Sequence, residues 1–324
     1  MSRRHAKIVL QVAVSAGVLA YLLWQIDLAK TIDLIGDANG LLLLAALAIF
    51  LATTWAMAWR WQLLLASKGI PEPLGWLTKL YFVGYAAGQV LPTGVGGDAV
   101  RIVEHARRRP DAKGEAAAAV LLERVIGAAG TLVMVAFGLV IAIGRYDDIE
   151  YLIAIEAVFL VAVAAGFVLL FSKRAARYLA WLAPLASKLR LERAGRSVYT
   201  ALHGYREQPR TLFVVLAITV ALQVVRCFAI WLCGEAVGVQ VSPLVYVILG
   251  PLLFLVMMVP FTINGLGVRE AFFVAFLGRF GVDADAAFAT GFLFYAVTIA
   301  TSLPGAVILL WRSLRPAWVR TRRV

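Results

Sequence analysis

Two ten-residue stretches share one skeleton: PTGVGGDAVR at 92–101 and PFTINGLGVR at 260–269. Pro92, Gly97, Val100 and Arg101 of the first match Pro260, Gly265, Val268 and Arg269 of the second. Each stretch ends an apolar run, 76–91 or 243–259, that is short for a membrane crossing, and a weakly apolar piece follows each. How the chain enters and leaves these twin stretches decides the fold.

Outward from the motifs the chain is overwhelmingly apolar. Of 324 residues 62% are hydrophobic and 15% charged, whereas a soluble domain keeps about a quarter of its residues charged. Runs at 8–26, 40–62, 115–143, 150–171, 211–234 and 284–311 are long enough to cross about 30 Å of hydrocarbon. The chain therefore reads as an integral membrane protein. The first run precedes no good small-x-small cleavage site and is expected to stay as an uncleaved span.

Basic residues cluster between spans, as in HARRRPDAK at 105–113, the long stretch 172–210 and the tail after Trp311. The net charge of +12 thus follows the cytoplasmic bias of Lys and Arg and suits anionic lipid headgroups; no nucleic-acid partner is expected. The same bias sets orientation. Arg3, Arg4 and Lys7 hold the N-terminus inside, the acidic connections after 26 and 143 lie outside, and the C-terminus returns inside. On this bookkeeping 76–105 begins and ends on the cytoplasmic side, and 243–280 begins and ends outside. Both are expected to be re-entrant helical hairpins with the Pro/Gly stretch at the tip, a backbone tolerated at membrane depth only where protein or a watery cavity surrounds it. The alternative, in which 76–91 simply crosses, leaves three consecutive arginines outside.

The likeness extends beyond the ten residues. Arg60 lies 32 residues before Pro92 and Arg226 lies 34 before Pro260; a small-residue helix follows each copy. Each half reads span, hairpin, span, with opposite charge bias, as in the inverted-topology repeats of secondary transporters. The expected fold is an all-α polytopic membrane protein of about six transmembrane helices plus two re-entrant hairpins. Residues 1–324 form one integral membrane domain, with a first repeat at 40–143, a second at 211–311 and a cytoplasmic amphipathic connector at 172–210.

A charge inside a bilayer is costly and marks a functional candidate. The candidates are Asp98, Arg101, Glu123, Arg124, Glu156, Arg226, Arg269 and Glu270, with Arg60 nearer a membrane edge. Asp98 and Arg101, three apart, share a helix face and either pin the hairpin as an ion pair or meet a ligand. Glu123 and Arg124 are helix neighbours pointing about 100° apart, so at least one needs a partner on another element; Arg269 and Glu270 pose the same problem. Gly97 and Gly265 allow tight turns with bare amides, which before a helix start form an anion nest. Arginine adds bidentate contacts to phosphate. Arg101, Arg124, Arg226 and Arg269 with Gly97 and Gly265 are thus the phosphate-binding candidates, and Asp98, Glu123 and Glu270 the candidates for proton coupling or ion pairing. The competing reading is that these charges pair only with one another and hold helices together.

His5, His105 and His203 fall in basic cytoplasmic stretches without metal spacing, and Trp55, Trp59, Trp61, Trp76 and Trp311 read as interfacial belt residues. Cys227 and Cys233, six apart on one helix, are separated by about 9 Å of rise, too far for a disulfide. No G-x-x-x-x-G-K-[ST], G-x-S-x-G, H-E-x-x-H or C-x-x-C pattern occurs. No cofactor, metal or catalytic residue is expected, and ATP does not drive this chain by itself.

The residues RWQLLLASKGI (60–70), GYAAGQVLPTGVGGDAVR (84–101), ERVIG (123–127) and PFTINGLGVREAFF (260–273) resemble, in this order, the lysylphosphatidylglycerol synthase transmembrane, or flippase-like, family. The resemblance spans roughly 8–311. It implies translocation or binding of a lipid in the bacterial inner membrane, and by matching motif positions it adds Asn264 to Asp98, Arg101, Glu123, Arg124, Arg269 and Glu270 as a site candidate. Synthase members continue into a further membrane region and a soluble aminoacyl-transfer domain, whereas this sequence stops at Val324. A stand-alone member without aminoacyl-lipid synthesis is therefore expected. The function implied is a flippase or transporter for an anionic, aminoacylated or polyprenyl-linked lipid. The alternative is a non-transporting subunit that presents lipid to a membrane glycosyl- or aminoacyl-transferase.

Overall fold

Asn39 opens the first long helix. Its side-chain oxygen accepts from Leu41 N at 3.0 Å and Leu42 N at 3.3 Å, filling two of the four amide donors that a helix start leaves unpaired. Asn39→Ala is expected to cost about 1 kcal/mol, read as a lower melting temperature in detergent; an unchanged melt would show that the cap contributes nothing there.

The computed structural model describes residues 16–91, 96–142, 158, 161, 204–258 and 265–314. Pro92, Gly94, Glu156, Pro260 and Asn264, most of the connector 172–210 and nearly all of the run 150–171 lie outside the described residues. Among the described residues every regular element is helical: α1 (Ala16–Gln25), α2 (Leu28–Gly36), α3 (Gly40–Ala66), α4 (Leu74–Val90), α5 (Gly96–Arg108), α6 (Lys113–Ala142), α7 (Pro209–Glu235), α8 (Pro243–Met258), α9 (Val268–Leu277) and α10 (Ala284–Leu314). Four helical stretches, Gly40–Ala66, Pro110–Gly138, Pro209–Glu235 and Ala284–Leu314, are long and apolar enough to cross a membrane. The protein is an all-α, multi-pass membrane protein.

One element order occurs twice. Helices α3 to α6 have 27, 17, 13 and 30 residues, and α7 to α10 have 27, 16, 10 and 31. A three-residue 3₁₀ turn, Pro110–Ala112 or Gly278–Phe280, precedes the last helix of each set. The packing is exchanged between the sets: α4 lies on α10, and α8 lies on α6.

Helices α3 and α7 run antiparallel against each other at the centre. The start of α3 meets the end of α7 through Asn39 N and Ala236 O at 2.8 Å, and Gln208 Nε2, just before α7, donates to Ser67 O just after α3 at 2.6 Å. Between these ends two arginines reach across reciprocally. Arg60 Nη1 donates to Thr219 Oγ1 at 2.9 Å, and Arg226 Nε donates to Thr53 Oγ1 at 3.1 Å. Each arginine sits seven residues after its own helix's threonine, so the two bonds are related by a local two-fold turn.

Two apolar cores flank this crossing. One gathers Trp61, Leu64, Leu77, Leu80 and Val120 around the C-terminal end of α3; the other gathers Phe50, Leu249, Leu252, Phe273 and Phe294 around its N-terminal end. Backbones touch where glycine removes the side chain. A Cβ on Gly97 would meet the Gly84 carbonyl, closing α5 onto α4, and a Cβ on Gly305 would overlap the backbone at Phe82 and Val83, where α10 crosses α4. At the other end of α10, Lys30 bridges Asp285 at 3.0 Å and Asp283 at 3.3 Å, and these bonds hold its ammonium above the ordinary lysine value.

Candidate functional site

The charged residues predicted at membrane depth divide between two places. The first centres on Glu123 of α6, which is buried. Its Oε1 accepts from Arg60 Nη2 at 3.1 Å, Arg60 Nε at 3.3 Å and the Tyr81 hydroxyl at 2.6 Å, while Oε2 lies 3.2 Å from Arg101 Nη1. Asp98 continues the chain, bridging Arg101 at 2.6 Å and Arg124 Nε at 2.6 Å. Glu123 and Arg124 thus find separate partners, as their roughly 100° separation on the helix demands. Three guanidinium charges meet two carboxylates, and the excess lies toward Arg124, whose side chain is 43% exposed.

Aromatic faces complete this network. The Arg101 guanidinium lies 3.9 Å from the Tyr81 ring centre and 5.0 Å from that of Trp61, geometry in which a ring quadrupole attracts a cation. Trp61 is fully buried, so it is not a belt residue. Its neighbour in sequence, Arg60, is buried as well, because α3 turns this part of its surface toward α4 and α6. Trp55, Trp59 and Trp311 are exposed, as lipid-facing aromatics would be.

The second place is a cavity of about 310 Å³ whose walls come from both sets of helices. Arg226 of α7 and Arg269 of α9 line it, with Phe50, Ile230, Leu253, Met257 and Phe294 as apolar wall. Tyr85, Gln89, Thr131, Gln223, Thr298 and Thr301 add polar groups. Arg226 is held by Thr53 and by the Tyr85 hydroxyl at 2.7 Å. Among the described residues it makes no ion pair, in contrast to Arg60 and Arg101. Arg269 is buried, 4.7 Å from the Tyr295 ring centre and 5.1 Å from that of Phe294.

Four expected site residues, Asp98, Arg101, Glu123 and Arg124, therefore meet in the network, and two, Arg226 and Arg269, meet at the cavity. Gly97 serves the α4–α5 approach, and Gly265 takes a φ of 75° before α9, where a side chain is strained. Glu270 is buried, and its Oε2 accepts from Gly267 N at 2.7 Å, so it caps the start of α9. The cluster also recruits residues that the sequence did not single out: Tyr81, Tyr85, Thr53, Thr219 and Gln223. A signal existed for the threonines, since Thr53 and Thr219 stand at the same spacing before Arg60 and Arg226.

His105 lies in the basic stretch after the first motif, yet its ring is enclosed. It is buried between Trp61 and Trp76, with ring centres at 5.9 and 5.5 Å, and its Nε2 lies 3.6 Å from Glu72 Oε1. The amphipathic α5 turns this residue inward while Arg107 and Arg108 stay on the outer side. Beyond α5, the Arg109 guanidinium donates to the exposed Asp111 carboxylate at 3.3 Å. Both cysteines are buried and unpaired. Among the described residues no group of three metal-ligating side chains occurs.

With this geometry in hand, comparison with known proteins places the chain. A stretch of 156 residues, 47% of this chain, is 33% identical to a protein of Haloferax volcanii named glycosyltransferase AglD; the match covers only 24% of that relative's length. The family model described as the lysylphosphatidylglycerol synthase TM region matches residues 8–305, nearly the whole sequence. The chain therefore belongs to the lysylphosphatidylglycerol synthase transmembrane-region family.

Proposed function

We propose that this protein moves a phosphate-bearing lipid across the bacterial inner membrane, as a flippase or transporter that ATP does not drive by itself. The observation that carries the reading is Arg226: a cation with only neutral hydrogen-bond partners among the described residues, facing a cavity that both sets of helices wall. A part-buried guanidinium without a carboxylate partner favours an anion beside it, and Arg269 brings a second guanidinium to the same space. The apolar remainder of the wall suits the chain-bearing end of a lipid. Membership of a family named for an enzyme of lysylphosphatidylglycerol supports a lipid as the occupant.

In this reading α3–α6 and α7–α10 form an inverted-topology repeat. The matched element lengths, the exchanged packing of α4 and α8 and the reciprocal Arg–Thr bonds support it. The hairpins α4–α5 and α8–α9 enter from opposite faces, both termini are cytoplasmic, and rocking of one half against the other exposes the central cavity to each side in turn. The Glu123–Asp98 network holds Arg60, Arg101 and Arg124 in ion pairs during this movement and is the place for proton coupling. No catalytic residue is assigned.

The test is movement of a fluorescent phosphatidylglycerol in liposomes, read by loss of quenchable label from the outer leaflet. Arg226→Gln and Arg269→Gln are each expected to slow it at least about tenfold, the loss of one charge contact to the phosphate, while melting close to the unchanged protein. Unaltered movement in both variants would sink the reading. A second reading is favoured by the relative named a glycosyltransferase, in which the matched region is a quarter of a longer chain: a lipid-presenting subunit of a membrane transferase. It predicts lipid retention lost in Arg226→Gln without any movement by the intact protein alone.

A further inference from the structure

We propose that the phosphodiester of an anionic lipid sits, in the second set of helices, where the Glu123 carboxylate sits in the first, and that Phe294 is the residue that leaves this place open; this rests on the lipid reading above.

The two sets of helices differ at a matched position. Glu123 is the eleventh residue of α6, and Phe294 is the eleventh of α10. Each lies against the arginine of its own Pro/Gly motif. Glu123 Oε2 is 3.2 Å from Arg101 Nη1, and the Phe294 ring centre is 5.1 Å from the Arg269 guanidinium. Each also lies toward the arginine that its own set brings to the α3–α7 crossing. Glu123 Oε1 is 3.1 Å from Arg60 Nη2. Phe294 shares the cavity wall with Arg226, and Phe50 links them, its ring centre 5.7 Å from that of Phe294 and 5.2 Å from the Arg226 guanidinium.

The first set thus carries its own anion between its arginines, whereas the second carries an aromatic ring there and a cavity of about 310 Å³ beside it. Arg269 has the adjacent Glu270 carboxylate acting on it, so the charge left to a ligand is that of Arg226. Its acceptors are neutral and themselves fixed. Thr53 Oγ1 donates to Phe50 O at 3.0 Å, and the Tyr85 hydroxyl donates to Met57 Sδ at 3.4 Å, while both oxygens accept from Arg226. The guanidinium is therefore held in place before any ligand arrives. A phosphodiester resembles the carboxylate it replaces, with two oxygens sharing one charge, the form that guanidinium groups bind in pairs.

The test returns a carboxylate to the second set. Phe294→Glu supplies the charge, and Phe294→Gln supplies a side chain of the same shape without it. In neutral detergent without added lipid, Phe294→Glu is expected to melt no lower than Phe294→Gln, because Arg226 receives the carboxylate. A melt well below that of the amide, as a buried carboxylate without a partner gives, would overturn the matched place. The full-length proteins are then placed in phosphatidylcholine nanodiscs with a minor share of phosphatidylglycerol, and retained lipid is read by native mass spectrometry. The unchanged protein is expected to retain phosphatidylglycerol above its share. Phe294→Glu is expected to lose this at least about tenfold, and Phe294→Gln to stay within about twofold of the unchanged protein. Equal retention by Phe294→Glu, or equal loss in both variants, would overturn the inference and leave lipid binding standing. Should neither variant fold, Thr298→Glu and Thr298→Gln, one turn further along α10 on the same wall, carry the same comparison. Absence of phosphatidylglycerol from the unchanged protein would overturn the lipid reading, while the order of melting still decides whether the place takes an anion. Free glycerol phosphate is expected to leave phosphatidylglycerol bound; displacement by it would overturn the lipid as the occupant.

Discussion

Glu123→Gln is expected to lower stability by about 3–5 kcal/mol, the cost of removing one partner from a buried ion pair. The carboxylate receives Arg60 on one oxygen and Arg101 on the other, and it takes the Tyr81 hydroxyl as well. A neutral amide keeps the shape but leaves two buried guanidinium groups short of a counter-charge, and Asp98, already bridging Arg101 and Arg124, cannot compensate both. The links broken run from α6 to α3 and α5, so the loss falls on the packing of the whole first set of helices. Tyr81→Phe is the control: it removes one hydrogen bond to the same oxygen and is expected to cost about 1 kcal/mol. Both are measured by thermal unfolding in one detergent. A Glu123→Gln shift no larger than that of Tyr81→Phe would show that the network does not hold the fold.

Gly305→Ala is expected to be at least as damaging although it adds a single carbon. The new Cβ would overlap the carbonyl oxygen and carbon of Phe82 and crowd Val83 N. These are backbone atoms of α4, so no side chain can swing aside and the two helices must separate along a long shared surface. Overpacking costs about 1–3 kcal/mol where side chains can yield, and the loss here is expected beyond that range, read as a collapsed melting temperature or loss of the monodisperse detergent-solubilised species. Gly88→Ala in α4 supplies the contrast: nothing lies within 4 Å of the position its Cβ would take. Removing a helix-interior glycine is expected to raise stability by about 0.5–1 kcal/mol. Equal melting of the two variants would refute the close approach of α10 to α4.

These two predictions lie at different distances from the amino-acid sequence. The need for a partner to Glu123 is legible from helix geometry alone, because its neighbour Arg124 points away from it; that the partners are Arg60 and Arg101 is not. Arg60 stands 63 positions from Glu123, and only the packing of α3 on α6 brings them together. Gly305 carries no warning at all. It sits beside Pro304 in a long apolar helix, and its meaning comes wholly from the strand of α4 backbone laid across it. His105 is a similar case: nothing in its basic neighbourhood tells that the amphipathic turn of α5 puts the ring between two tryptophans.

What the sequence determined by itself was local and periodic: a membrane protein made of helices, read from apolar run lengths, and a pair of matched Pro/Gly-to-Arg stretches. Such features depend on neighbours a few residues apart and on the cost of charge in lipid, so they are written in composition and spacing. Tertiary structure alone decided which arginines are neutralised and which face open space. Arg101 and Arg226 are the same residue type at membrane depth in the sequence. One meets Glu123 and Asp98, while the other meets Thr53, Tyr85 and a cavity. That difference is set by which helices cross, and the strength of a buried charge depends on the groups within a few ångströms of it, however far apart they lie along the chain.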